Sequence, residues 1–137
     1  MKLVLVVVLA VVLAACGSGG GFPDAPDVNP DPDPGTFGFS WMLTDATGHP
    51  TTCAQAGATV IRVSITDEAT GDVDSALFAC SLGDAVSGAL FPSTYDLAFT
   101  LDGMTGALAT APTQTGVVIQ SNRTTQLPNA VVFVIGS

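Results

Sequence analysis

Three cysteines, one histidine and twelve Asp or Glu residues are the groups in this 137-residue chain that could do chemistry. Thiols at Cys16, Cys53 and Cys80 are potential nucleophiles, metal ligands or cross-links. His49 lies between Gly48 and Pro50, a turn setting, and a Ser-His-Asp arrangement would have to use it. The chain has no Gly-x-Ser-x-Gly elbow and no second imidazole, so nucleophilic catalysis is not expected. Paired carboxylates are the other catalytic option, because glycoside hydrolysis needs an acid and a base or nucleophile across one bond. Asp67, Glu68, Asp72 and Asp74 flank a single turn, while Asp96 and Asp102 fall on the polar side of an alternating run. A glycosidase also needs aromatic sugar platforms, yet Trp41 and Tyr95 share parity with core positions. The expectation is solvated turn carboxylates and no enzyme. Asp67, Asp72 and Asp74 form a weak candidate for calcium. The run from Asn29 to Gly35 has alternating oxygens like a calcium loop, but its glycine falls one place late. Ser40 stands where that loop needs a bidentate glutamate. No cofactor is expected.

Charge narrows the partners. Twelve acidic residues stand against three basic ones, for a net charge of −9. Lys2 belongs to the N-terminal leader, which leaves Arg62 and Arg123. Two cations on an acidic domain do not neutralise a run of phosphates, so nucleic acid is excluded as a partner. A polybasic membrane patch is excluded for the same reason.

Met1 and Lys2 precede an apolar run from Leu3 to Leu13, and small residues follow at Ala14 and Ala15. That order is a secretory signal, and the run falls short of the ~20 residues a spanning helix needs. Leu13-Ala14-Ala15-Cys16 resembles the lipobox of bacterial lipoproteins. The resemblance implies that the Cys16 thiol carries diacylglycerol, that cleavage occurs before it, and that the new amine is acylated, commonly with palmitate. Two or three acyl chains at ~0.8 kcal/mol per buried CH₂ make a stable membrane anchor. By the same resemblance, Gly17 in place of aspartate implies sorting to the outer membrane. Residues 1–15 are therefore read as signal peptide and residues 16–35 as a lipidated tether. Five prolines are interleaved with aspartates between Pro23 and Pro34, a composition that stays extended and buries little. With Cys16 lipidated, Cys53 and Cys80 remain as an even pair in an oxidising compartment, and a disulfide between them is expected. One histidine and two oxidised cysteines do not make a zinc site.

Residues 36–137 read as strands and turns. Phe37, Phe39, Trp41 and Leu43 alternate with smaller or polar residues; Ile61, Val63 and Ile65 do the same. Residues 75–80 and 85–91 predict shorter strands, the second ended by Pro92. Tyr95, Leu97, Phe99 and Leu101 give the clearest period of two. Runs at 107–111, 117–120 and 130–135 complete the set, the last apolar on both faces and expected at a sheet centre. Seven or eight short strands predict an all-β, antiparallel sandwich, with a small closed barrel as the alternative.

This domain resembles transthyretin-like (prealbumin-like) sandwiches of the carboxypeptidase-regulatory kind. The matching pieces are Cys53–Gly57 ahead of the 59–66 strand, the turn from Asp67 to Gly71, and Leu90-Phe91-Pro92-Ser93-Thr94-Tyr95, with Ser93 where the family has glycine. Leader, tether and sandwich together lead to the expectation of a lipid-anchored, non-enzymatic structural or protein-interaction module of the cell envelope. The alternative is a glycan-binding or other ligand-binding sandwich at the cell surface, which exposed coplanar aromatics would favour.

Overall fold

A computed structural model describes residues 31–136. The alternation in the sequence becomes two five-stranded sheets facing each other across one apolar core. Strand β1 (Thr36–Asp45) buries Phe37, Phe39, Trp41 and Leu43. After a turn and the two-residue β2 (Pro50–Thr51), helix α1 (Cys53–Ala56) makes one turn. Its ends are specified locally. Thr52 Oγ1 accepts from Gln55 N at 3.1 Å while Gln55 Oε1 accepts from Thr52 N at 3.2 Å, a capping box. Gly57 ends the helix at φ 70°, a backbone conformation that favours glycine. This helix was absent from the sequence-based expectation, because four residues are too few to show a 3.6-residue period.

Strand β3 (Ala58–Asp67) pairs antiparallel with β4 (Val73–Ala79) on one side and β6 (Ser93–Gly103) on the other. A 3-10 turn at Cys80–Leu82 leads into β5 (Asp84–Val86). The far side of β6 is shared by β7 (Gly106–Thr110) and β8 (Gln114–Ile119). Two further strands, β9 (Thr124–Gln126) and β10 (Val131–Ile135), return to β1. Among the described residues, seven of the ten strands have five or more residues and β2, β5 and β9 are shorter, so the expected number describes the long strands.

Strand direction departs from expectation in the β1 sheet. The pairs β1–β10 and β1–β9 are parallel, while β1–β2 and β1–β5 are antiparallel. Parallel pairing depends on where a distant crossover returns the chain, and side-chain alternation is the same for both directions. Position also differs for β10, which among the described residues pairs with β1 alone. Val131 and Phe133 fill the core from it, whereas Val134 on its other face is 43% exposed. The strand expected over 85–91 is cut to Asp84–Val86 because Ser87 bonds to β1 with both main and side chain. Phe37 N donates to Ser87 Oγ at 2.9 Å and Ser87 N to Phe37 O at 2.8 Å.

At the core centre Phe39 lies 5.3 Å from Phe99 and edge-on to Phe78 at 5.2 Å, measured between ring centroids. Aromatic pairs at this spacing add to area burial. The fold also takes in the last residues assigned to the tether. Asn122 N donates to Pro34 O at 3.0 Å, and Gly35 exchanges two 2.9 Å backbone bonds with Leu90. A Cβ at Gly35 would stand 2.1 Å from Gln120 O, so the close approach at the start of the domain admits only glycine.

Candidate functional site

Leu13, Ala14, Ala15 and Cys16 lie outside the described residues. The other two cysteines are bonded to each other: Cys53 Sγ and Cys80 Sγ are 2.02 Å apart, closing a sequence separation of 27. The bridge joins the start of α1 to the residue that follows β4. Trp41 Nε1 donates to Cys80 O at 3.0 Å, which ties the same point to the β1 sheet. Beside the bridge is an open groove of about 500 Å³, lined by Trp41, Met42, Pro50, Thr52 and Ser81 among others. None of its lining residues carries a carboxylate, imidazole, amine or guanidinium. It offers apolar contact and hydroxyls, with no group able to move a proton near pH 7.

Most carboxylates serve local structure. Asp45 Oδ1 accepts from Thr47 N at 2.9 Å, Thr47 Oγ1 at 2.6 Å and His49 N at 3.0 Å. The Thr47 hydroxyl, followed by the His49 amide, holds the Asp45 carboxyl below its usual range. His49 is exposed, and its Nδ1 lies 2.6 Å from Thr47 Oγ1. The histidine therefore closes a turn, as its flanking Gly48 and Pro50 suggest. Asp102 Oδ1 meets Arg62 Nη2 at 3.1 Å, a partly exposed ion pair.

Asp67, Asp72 and Asp74 are not brought together as a metal cluster; no group of three or more ligating side chains of that kind occurs among the described residues. Asp67 Oδ1 accepts from Ala69 N and Ser93 Oγ, both at 2.8 Å. Those bonds, the Ala69 amide first, hold the Asp67 carboxyl below its usual range. Asp74 Oδ1 accepts from Ser75 N at 2.7 Å. The three residues instead help to line a notch of about 280 Å³, together with Ile65, Val73 and Phe91. Tyr95 also reaches that notch, donating its hydroxyl to Phe91 O at 2.7 Å. Burial, followed by the charge of Asp67, pushes the Tyr95 phenol up.

One carboxylate arrangement escaped sequence reasoning. Gly116 N is 3.2 Å from both Glu68 Oε1 and Asp96 Oδ1. Hydrogen bonding to Asp96, then burial and the Asp96 charge, push the Glu68 carboxyl up. Gly116 holds φ 68° where β8 shifts register against β6. The available signal was an isolated glycine inside a strand pattern, which often marks a bulge. Nothing local pointed to Glu68, which is 48 residues away.

No protein-family model matches the chain, and no curated protein matches it. Among solved structures, a leucine-rich repeat protein from Bacteroides thetaiotaomicron aligns at 13% identity with a TM-score of 0.40. The alignment covers 75% of this chain and 14% of that one. Similarity at this level bears on neither function nor partners.

Proposed function

We propose that this protein is a lipid-anchored, non-enzymatic interaction module of the bacterial cell envelope, carried on a short Pro/Asp-rich stalk. The observation that carries the reading is the Cys53–Cys80 disulfide. Structural disulfides belong to oxidising compartments, which fits an exported chain and leaves Cys16, behind its apolar leader, for acylation. The resemblance of the domain to transthyretin-like sandwiches supports a display role in the same way. Aromatic placement favours protein contact over glycan stacking. Trp41 and Tyr95 are buried, and Phe91 is the one strongly exposed aromatic ring among the described residues.

Metabolic labelling with a palmitate analogue and membrane fractionation test the anchor. The wild-type chain is expected to carry label and sediment with outer membranes; Cys16→Ser is expected to lose both. An unlabelled wild-type protein in the soluble fraction refutes the anchor. Cross-linking in the native host tests the interaction role, with one dominant protein partner expected. Cross-linking to glycan alone refutes it in favour of the glycan-binding reading.

A further inference from the structure

Strand β4 is hydrogen-bonded to β3 on one side, and no strand pairs with its other side among the described residues. The bond from Asp67 N to Asp72 O sets the phase of the β3–β4 ladder. It makes Thr66 and Val73 a non-hydrogen-bonded pair, so Asp74, Ala76 and Phe78 turn their amides and carbonyls toward β3. Val73, Ser75, Leu77 and Ala79 turn theirs outward. The Ser75 amide is taken by the Asp74 side chain, while the outward groups of Val73 and Leu77 meet no partner among the described residues.

Other edges are protected. On the opposite side of the sandwich β7 lies beside β10, and Thr125 Oγ1 donates to Val118 O at 2.7 Å to join β9 to β8. β2 and β5 have only two and three residues. β4 has seven, with no lysine, proline or bulge to discourage pairing. Val73 and Leu77 are 66% and 65% exposed. At its Val73 end the strand meets the notch lined by Ile65, Phe91 and Tyr95, where Asp67, Asp72 and Asp74 supply negative charge.

We propose that the free edge of β4 docks an extended segment of a partner protein that carries lysine or arginine beside an apolar residue. This rests on the interaction-module reading. The segment adds a strand, exchanging backbone bonds with Val73 and Leu77. Asp74 shares the inward face of Ile65 through their register, so an apolar side chain of the added strand at that level enters the notch. Its cation meets Asp72 and Asp74. A second copy of this chain fits the edge less well, because each copy brings a net charge of −9 and the same acidic end.

The test uses the full exported chain in detergent and a labelled peptide of alternating valine and threonine, flanked at both ends by lysines. Fluorescence anisotropy is expected to show saturable binding, weakened about tenfold or more by Leu77→Pro, which removes an outward amide and leaves the β3 ladder intact. An N-methylated version of the peptide tests the same bonds without altering the protein, and is expected not to bind. Asp72→Asn with Asp74→Asn is expected to weaken binding several-fold and flatten its salt dependence. Equal binding of a glutamate-flanked peptide, or binding indifferent to both Leu77→Pro and N-methylation, overturns the proposal. So does a dimer in sedimentation that Leu77→Pro dissociates, which assigns the edge to a second copy. Absence of peptide binding also overturns it, and the interaction reading then depends on the host cross-linking alone.

Discussion

Replacing both bridging cysteines by alanine removes the covalent closure of a loop spanning 27 residues. In the chain-entropy treatment a loop of that length stabilises the fold by about 3.5 kcal/mol at 25 °C. A sandwich of roughly one hundred residues has an unfolding entropy near 0.2 kcal/mol/K, so the expected fall in Tm is about 17 °C. Alanine is preferred to serine because Cys80 is 2% exposed, and a hydroxyl there would need a buried partner. Trp41 is the single tryptophan, buried and hydrogen-bonded to the Cys80 carbonyl, so its fluorescence reports both the bridge region and global unfolding. Thermal melts of the wild-type protein, its dithiothreitol-reduced form and the Cys53→Ala/Cys80→Ala variant make the comparison. The reduced form should fall by a similar amount, since its thiols still fill the space of the bridge. A fall below about 4 °C in both, with thiol titration confirming an open bridge, would refute the loop-entropy argument. It would mean that packing of α1 and β4 holds these ends together without the bond.

Two other perturbations test the hydrogen-bond assignments. Tyr95→Phe removes the donor to Phe91 O and is expected to cost about 1 kcal/mol, read by denaturant titration; an unchanged midpoint would mean the 88–92 loop does not depend on that bond. For pH dependence, the two directions of carboxyl shift act oppositely. Asp45 and Asp67 are held below their ordinary value of 3.8, so their contribution is present above that pH and lost as pH falls through their folded-state values. Glu68 is raised above 4.5, so its favourable neutral form is lost as pH rises through the folded-state value, and stability declines across that window. Melting curves from pH 3 to 8 should show Asp67→Asn flattening the acid limb and Glu68→Gln removing the decline above 4.5; the opposite signs would overturn the assignments.

Periodicity made the core legible before any coordinates. Phe37, Phe39, Trp41 and Leu43, and then Tyr95, Leu97, Phe99 and Leu101, are the alternating residues that the two sheets bury. A period of two has one physical cause, a pleated strand with one dry face, and it survives in the order of residues alone. The turns at His49 and after Asp67 were legible from glycine, proline and short polar residues, and in the structure Asp45 and Asp67 bond the neighbouring backbone there. The disulfide was readable as arithmetic once Cys16 was set aside. By contrast, the parallel return of β9 and β10 to β1, and the meeting of Glu68 with Asp96 over Gly116, join residues far apart in the chain. Gly35 had no periodic signal either, because what demands glycine there is the carbonyl of Gln120. The bare outer side of β4 belongs to the same group. Its residues alternate like those of any short strand, and only the placement of the other strands decided that this edge has no strand partner among the described residues. The sequence by itself determined which side chains leave water, because burial follows local alternation. Which strands become neighbours depends on contacts summed over the whole chain, and that was decided in the tertiary structure.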